Sequence, residues 1–327
     1  MADRSNVRLQ GLVLGAGAVL MALKFIAWRI THSNTILSDA LESIVNVAAG
    51  AFTLYSLALA AKPRDREHPY GHGKVEFISA GVEGGLVVAA GGIIIWRAVA
   101  ALLRGHHLHA LDAGIALTAL AGCANLAMGL ALRKRGRAVG AQPMVARRAH
   151  RLSDAWSTAA MLCGLILIRL TGLLWLDQAF AMAFAGYIMA TGLRILRRSV
   201  AGIMDEADLE LAARVIAHLQ EARRPQWIDL HNFRTMKHGR VLHIDCHVTL
   251  PWYYSLEQAH GEIADIERLV SGREGNEVEL FIHMDPCVPP SCAICGLQAC
   301  PKRKAQQVST VTWDLRTVLG NAKHTAG

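Results

Sequence analysis

Residues 113–132 read AGIALTALAGCANLAMGLAL, 20 consecutive residues without a charge. At a rise of about 1.5 Å per residue, a helix of that length crosses a hydrocarbon core of about 30 Å. Comparable apolar runs, each with a few polar interruptions, lie near 9–30, 36–61, 76–103, 145–171 and 174–194, so six transmembrane helices are expected. The composition agrees: of 327 residues, 53% are hydrophobic and only 18% charged, against about a quarter charged in soluble domains. After about residue 200 the apolar blocks give way to a mixed pattern, which predicts a soluble domain behind the membrane domain.

The net charge of +8 does not call for a nucleic acid, because the basic residues mark membrane orientation. Alternate connections carry Arg4 and Arg8, then Lys62, Arg64, Arg66 and Lys74, then the run from Arg133 to Arg148, then Arg194, Arg197 and Arg198. The intervening segments 31–38 and 171–177 have no Lys or Arg. Both termini are therefore expected in the cytoplasm. Lys24 and Arg29 near the far end of the first run, with no small-residue cleavage site, argue against a removable signal peptide.

Some polar residues stand where hydrocarbon should be. In SDALESIVN, Glu42 and Asn46 are four apart, one helical turn above one another, with Asp39 just before them. In HRLSD, His150 and Asp154 repeat the spacing. Ionisable groups at membrane depth cost about 2.5–3.5 kcal/mol each on insertion scales; one alone more often serves interhelical packing, but two matched pairs point to an ion path. Two such pairs offer four oxygen and nitrogen donors, a set suited to a divalent transition metal. Glu76 and Glu83, seven apart without a neighbouring His or Cys, read as structural or water-path residues. In the segment after the second run, Asp65, His68 and His72 form a D-x2-H-x3-H set that could clamp a metal, whereas His106, His107 and His109 read as an exposed cluster.

The soluble part reads α-β-β-α-β: a helix over 206–222, strands in WIDLHNFRT and RVLHIDCHVTL, a helix in SLEQAHGEIADIERLV and a strand in VELFIHMDP. Alternation places His243 and His247 on one face. Beyond it Cys287, Cys292, Cys295 and Cys300 make a C-x4-C-x2-C-x4-C series, a spacing suited to a tetrahedral zinc site and partly like an iron-sulfur ligand run. A late cluster of this kind is not a secreted disulfide framework and predicts a reducing compartment. Residues 305–327 read as a loosely ordered end.

With SDALESIVN, HPYGHGK, HRLSD and GIMDEA in that order on a six-span layout, the chain resembles the cation diffusion facilitators, exporters of divalent metals in exchange for protons. The resemblance covers roughly residues 8–290. It implies a transport site at Glu42, Asn46, His150 and Asp154 and a loop site at Asp65, His68 and His72. It also implies a metallochaperone-like cytoplasmic domain that dimerises, with a metal site at His231, His247, His260, His283 and Asp285. His243 has no match in that pattern. Where zinc-associated members place Asp or His, this chain has Glu42 and the neutral Asn46. Zinc is the expected cargo, with iron(II) or manganese next and cobalt or cadmium as further candidates.

The expected architecture is thus an α-helical membrane protein with a six-helix domain over 1–204, a cytoplasmic α+β domain over 205–290 and a Cys-containing tail over 291–327. The expected setting is a homodimer in a bacterial inner membrane, moving metal ions and protons. An intramembrane metalloenzyme would call for a compact H-E-x-x-H segment, and none is present. A metal-sensing membrane protein without flux is the alternative.

Overall fold

A computed structural model describes residues 4–104, 110–139, 158–238, 241–273 and 277–325. It divides into two compact units, one comprising 1–57 and 78–199, the other 58–77 and 200–327. The segment between the second and third helices thus folds with the C-terminal part.

The first unit contains α1 (Arg4–Thr31), most of α2 (Asn34–Ala60) and α3 (Val75–Arg104), α4 (Leu111–Val139), α5 (Thr158–Thr171) and most of α6 (Trp175–Ile203). Among the described residues, α2, α3 and α6 are long and apolar enough to cross a membrane. Two further apolar helical stretches, Leu111–Ala127 and Thr158–Thr171, are shorter. Among the described residues, three helices therefore have the length and composition of a membrane span. Part of the fifth expected span, 145–157, lies outside the described residues.

On α3, Ile78, Val82, Leu86, Ile93 and Trp96 are all exposed. They recur at three-, four- and seven-residue steps, an apolar stripe that fits lipid and not water. The other face packs on α6, where Ile94 and Ala98 meet Ala181, Ala185 and Ile188. Small residues bring the two backbones together: a Cβ on Gly84 would lie 2.9 Å from the carbonyl oxygen of Gly192, the close approach that small-residue helix interfaces permit.

Polar groups in this unit are tied together. Asp177, fully buried in the first turn of α6, accepts hydrogen bonds from Ser33 Oγ at 2.5 Å and from the backbone N–H groups of Asn34 at 2.7 Å and Thr35 at 3.2 Å. A carboxylate there satisfies donors that the start of α2 leaves without helical partners. Lys24 on α1 donates to Asp39 on α2 at 2.7 Å, both side chains being buried.

The second unit carries α7 (Leu209–Glu221), β1 (Asp229–His238), β2 (Val241–Leu250), α8 (Leu256–Arg273) and β3 (Glu277–Pro286), the expected order. Asp208 caps α7 by accepting from Leu211 N–H, and Leu211, Ala212, Val215, Ile216 and Leu219 form its buried stripe. The sheet runs β1-β2-β3, antiparallel for the first pair and parallel for the second. Leu242, Ile244, Cys246, Val248 and Leu250 all join the hydrophobic core with the α7 stripe. Alternation then sends His243, Asp245, His247 and Thr249 to the opposite face.

The end of the chain corrects the expectation of a loose terminus. Trp313 and Val318 are buried in the same core, and a short helix α9 (Leu315–Val318) follows an Asp314 cap. The Arg223 guanidinium lies over the Trp313 ring at 4.1 Å and donates to the Val311 carbonyl, while Trp313 N–H donates to Gln220. Burial of an indole and satisfied backbone groups give the tail a reason to fold back.

Candidate metal centres

Glu42 and Asn46 sit one turn apart on α2, both partly buried. His150 and Asp154, the other half of the expected transport set, lie outside the described residues, as do His106, His107 and His109. Asp39 belongs to a different arrangement, the ion pair with Lys24.

The loop set is assembled. Asp65, His68 and His72 each present a ligand atom, and these atoms lie within 4.8 Å of one another. Asp65 accepts from the backbone N–H groups of His68 and Glu67, and its two oxygens face His68 Nδ1 at 3.1 Å and His72 Nε2 at 3.5 Å. The backbone hydrogen bond from His68 is the main reason its carboxyl sits below the usual range. The turn depends on Gly71, at φ +84°, a conformation that glycine adopts without penalty. Its N–H closes onto the His68 carbonyl at 2.9 Å, bringing the two imidazoles to the same side with ring centroids 4.3 Å apart.

The second set follows from strand register. His231 of β1 is opposite His247 of β2, which is opposite His283 of β3. Two residues along, Asp229, Thr249 and Asp285 form a parallel row, on the same face because side chains alternate. Asp285 is the hub. Its Oδ2 lies 3.2 Å from His231 Nε2 and 3.1 Å from His247 Nδ1, and its Oδ1 lies 3.5 Å from His283 Nδ1. His231, His247 and Asp285 satisfy the same mutual spacing as the loop set. A bulge between His231 and Arg234, with Asn232 at φ +53°, marks the end of the regular ladder beside His231. His260 stands apart, exposed on α8 in the helical layer, so this chain's own cluster forms without it.

Burial is the main cause that pushes the His231 imidazole below its ordinary value, against the pull of Asp229 and Asp285. Burial acts to raise Asp285, but the hydrogen bond with His247 and the nearby Lys323 ammonium hold its carboxyl below the usual range. Neutral imidazole beside ionised carboxylate is the protonation state that a metal requires.

Sequence reading missed three neighbours of this cluster. Asp229 faces His231 Nδ1 at 3.2 Å, and alternation from His231 could have found it. Lys323 lies 3.4 Å from Asp285 Oδ1 and His324 lies 2.6 Å from Asp229 Oδ1, both delivered by the folded-back tail. His243, which the resemblance leaves out, is buried, with Glu279 at 3.2 Å and the His238 ring centroid at 4.6 Å.

Burial is also the leading cause that lowers His238 and His243 from the ordinary 6.5. Between that value and the lowered ones, the unfolded chain takes up protons that the folded chain refuses, so stability falls as pH drops. The midpoint of chemical unfolding of the second unit is expected to fall between about pH 7.5 and about pH 5.5. A midpoint unchanged or rising over that interval would contradict neutral imidazoles in the fold.

Cys287, Cys292, Cys295 and Cys300 line a cavity of about 70 Å³ beside the end of β3. Their thiols are free, and no three of them meet the mutual ligand-atom spacing of the two sets above.

Against known proteins, residues 12–204 match the family described as the cation efflux transmembrane domain, and 207–287 match the cation efflux protein cytoplasmic domain. The chain is similar to an uncharacterized transporter of Synechocystis, with 31% identity over 85% of this chain and 90% of the relative. It is also similar to the cation-efflux pump FieF of Shewanella oneidensis, with 27% identity over 82% of this chain and 89% of that protein. Metal tolerance protein C1 of Arabidopsis thaliana shares 28% identity over 84% of this chain and 61% of its own length.

Proposed function

The chain belongs to the cation efflux family, the cation diffusion facilitators, whose members move metal cations across membranes and are in general not enzymes, and from that premise we propose that it exports a divalent metal ion from the cytoplasm in exchange for protons. Zinc is the first candidate cargo, with iron(II) and manganese next. The observation that carries the reading is the polar pair Glu42 and Asn46, one turn apart on an apolar membrane-length helix, with a matching His150 and Asp154 in the fifth expected span.

In this proposal Glu42, Asn46, His150 and Asp154 hold the ion near the membrane midplane, and access alternates between the two sides. Carboxylates and imidazole bind either metal or protons, so one set of ligands performs the exchange. The termini lie in the cytoplasm and the host membrane is a bacterial inner membrane. The matched cytoplasmic domain supports a homodimer. Cytosolic metal at His231, His247, His283 and Asp285, with His260 offered to the partner domain, would tighten the dimer and favour one transport state. Asp65, His68 and His72 would take up a further ion on the cytoplasmic side.

The test is metal-driven proton flux in proteoliposomes, with zinc, iron(II), manganese, cobalt and cadmium offered separately to wild type and to Asp154→Ala. Flux with at least one metal, falling to the level of empty vesicles in the variant, is expected. Folded, inserted protein that moves no metal would favour a sensor without flux. Flux undiminished in Asp154→Ala would remove that residue from the pathway.

A further inference from the structure

Outside the two histidine and carboxylate sets stand the four cysteines beyond β3. They are brought to one cavity by three separate pieces of backbone. Cys287 directly follows β3 and its backbone N–H donates to the Leu250 carbonyl at the end of β2. Cys292 and Cys295 flank the end of a short 3-10 helix (Pro289–Ala293), with Cys295 N–H turned back onto the Cys292 carbonyl at 3.4 Å. Cys300 ends the following turn, its N–H donating to the Leu297 carbonyl at 3.3 Å.

Three features distinguish this from a chance gathering of thiols. Backbone N–H groups are directed at sulfur, from Trp252 to Cys287 Sγ at 3.5 Å and from Lys304 to Cys292 Sγ at 3.4 Å. Such donors stabilise thiolates and orient metal-bound sulfur. Next, Arg303 acts as an internal clamp, its guanidinium donating to the carbonyls of Cys292, Cys295 and Leu297 at 2.7–3.2 Å. It fixes the loop that carries the C-x2-C pair without occupying any sulfur. Finally, Lys302, Arg303 and Lys304 all line the cavity, placing positive charge where four thiolates around a dication would leave net negative charge.

We propose that Cys287, Cys292, Cys295 and Cys300 bind a single thiophilic divalent ion, with zinc(II) as the reference case, in a tetrahedral all-thiolate site that fastens the C-terminal tail to the sheet. Four sulfur donors with no imidazole or carboxylate make a closed structural site with no open position. Binding draws the four sulfurs inward and releases the thiol protons to solvent, with no change of oxidation state. The tail so anchored is the one that buries Trp313 and brings Lys323 to Asp285. The proposal does not rest on the transport reading.

The full chain in detergent micelles, stripped of metal under reducing conditions, is titrated with cobalt(II). A near-ultraviolet thiolate-to-cobalt charge-transfer band is expected, saturating at a single equivalent per chain and abolished by zinc. The band should persist when Glu42 and Asn46, or Asp285, are replaced by alanine, and disappear in Cys292→Ser/Cys295→Ser. Because the serine variant could misfold, alkylation of wild-type thiols by a maleimide is measured as well, and zinc is expected to slow it at these four positions. Absence of the band in wild type, its survival in the serine variant, or alkylation unaffected by zinc would overturn the proposal. Bound iron with acid-labile sulfide, or a disulfide formed in a reducing lysate, would overturn it too. A cobalt band from protein that carries no flux would leave this site standing and sink the exporter alone.

Discussion

Replacing Lys24 with methionine while keeping Asp39 is expected to destabilise the membrane unit by about 3–5 kcal/mol, the usual cost of leaving one charge of a buried pair uncompensated. Asp39 is 2% exposed and Lys24 6% exposed, and the two meet at 2.7 Å. Among the described residues the second carboxylate oxygen of Asp39 has no hydrogen-bond partner, so the ammonium is the main compensation for that charge. A bilayer offers no water to replace it. Replacing both residues, Lys24→Met with Asp39→Leu, removes the penalty along with the pair and is expected to recover most of the loss. Detergent-induced unfolding of the purified chain, followed by helix content, measures both variants. A single substitution no more harmful than the double would mean that the pair is not held dry.

This pair shows where sequence reading stops. The polarity of Asp39, Glu42 and Asn46 in an apolar run was legible, because charge at membrane depth is conspicuous against the composition. That Asp39 answers to Lys24 and not to the neighbours on its own helix was not, since periodicity orders residues along a helix and says nothing of the facing helix. The same limit applies to Asp177, whose role is to receive the N–H groups that open α2. In the soluble unit more was legible. Alternation placed His243 and His247 on one face, and the α-β-β-α-β order emerged from the change of period. What alternation could not supply was register, the property that sets His231, His247 and His283 side by side across three strands. The fold-back of residues 311–324 was hidden for a different reason. Its anchor is one indole and a four-residue helix, too short a pattern to exceed the background of a polar tail.

That fold-back leads to the second large effect, at Asp285. Its carboxylate serves His231, His247 and His283 at once and also faces the Lys323 ammonium. Asp285→Asn retains the shape and removes the anionic donor. The affinity of this cluster for zinc is expected to fall by at least about 10-fold, since losing even a group that only supports a ligand costs that much. Lys323→Ala is expected to act in the opposite direction. An ammonium 3.4 Å from the ligand oxygen opposes an incoming dication and competes for the same lone pairs. Lys323 is partly exposed, so solvent screening limits the gain to about 1 kcal/mol, or roughly fivefold tighter binding. Titration of the full chain with zinc, with Glu42 and Asn46 replaced by alanine to weaken the expected membrane site, reads both changes by calorimetry. Equal affinity in Lys323→Ala and wild type would show that the tail merely lies beside the cluster. Tighter binding would make the tail a built-in competitor, setting the metal level at which the sheet cluster fills.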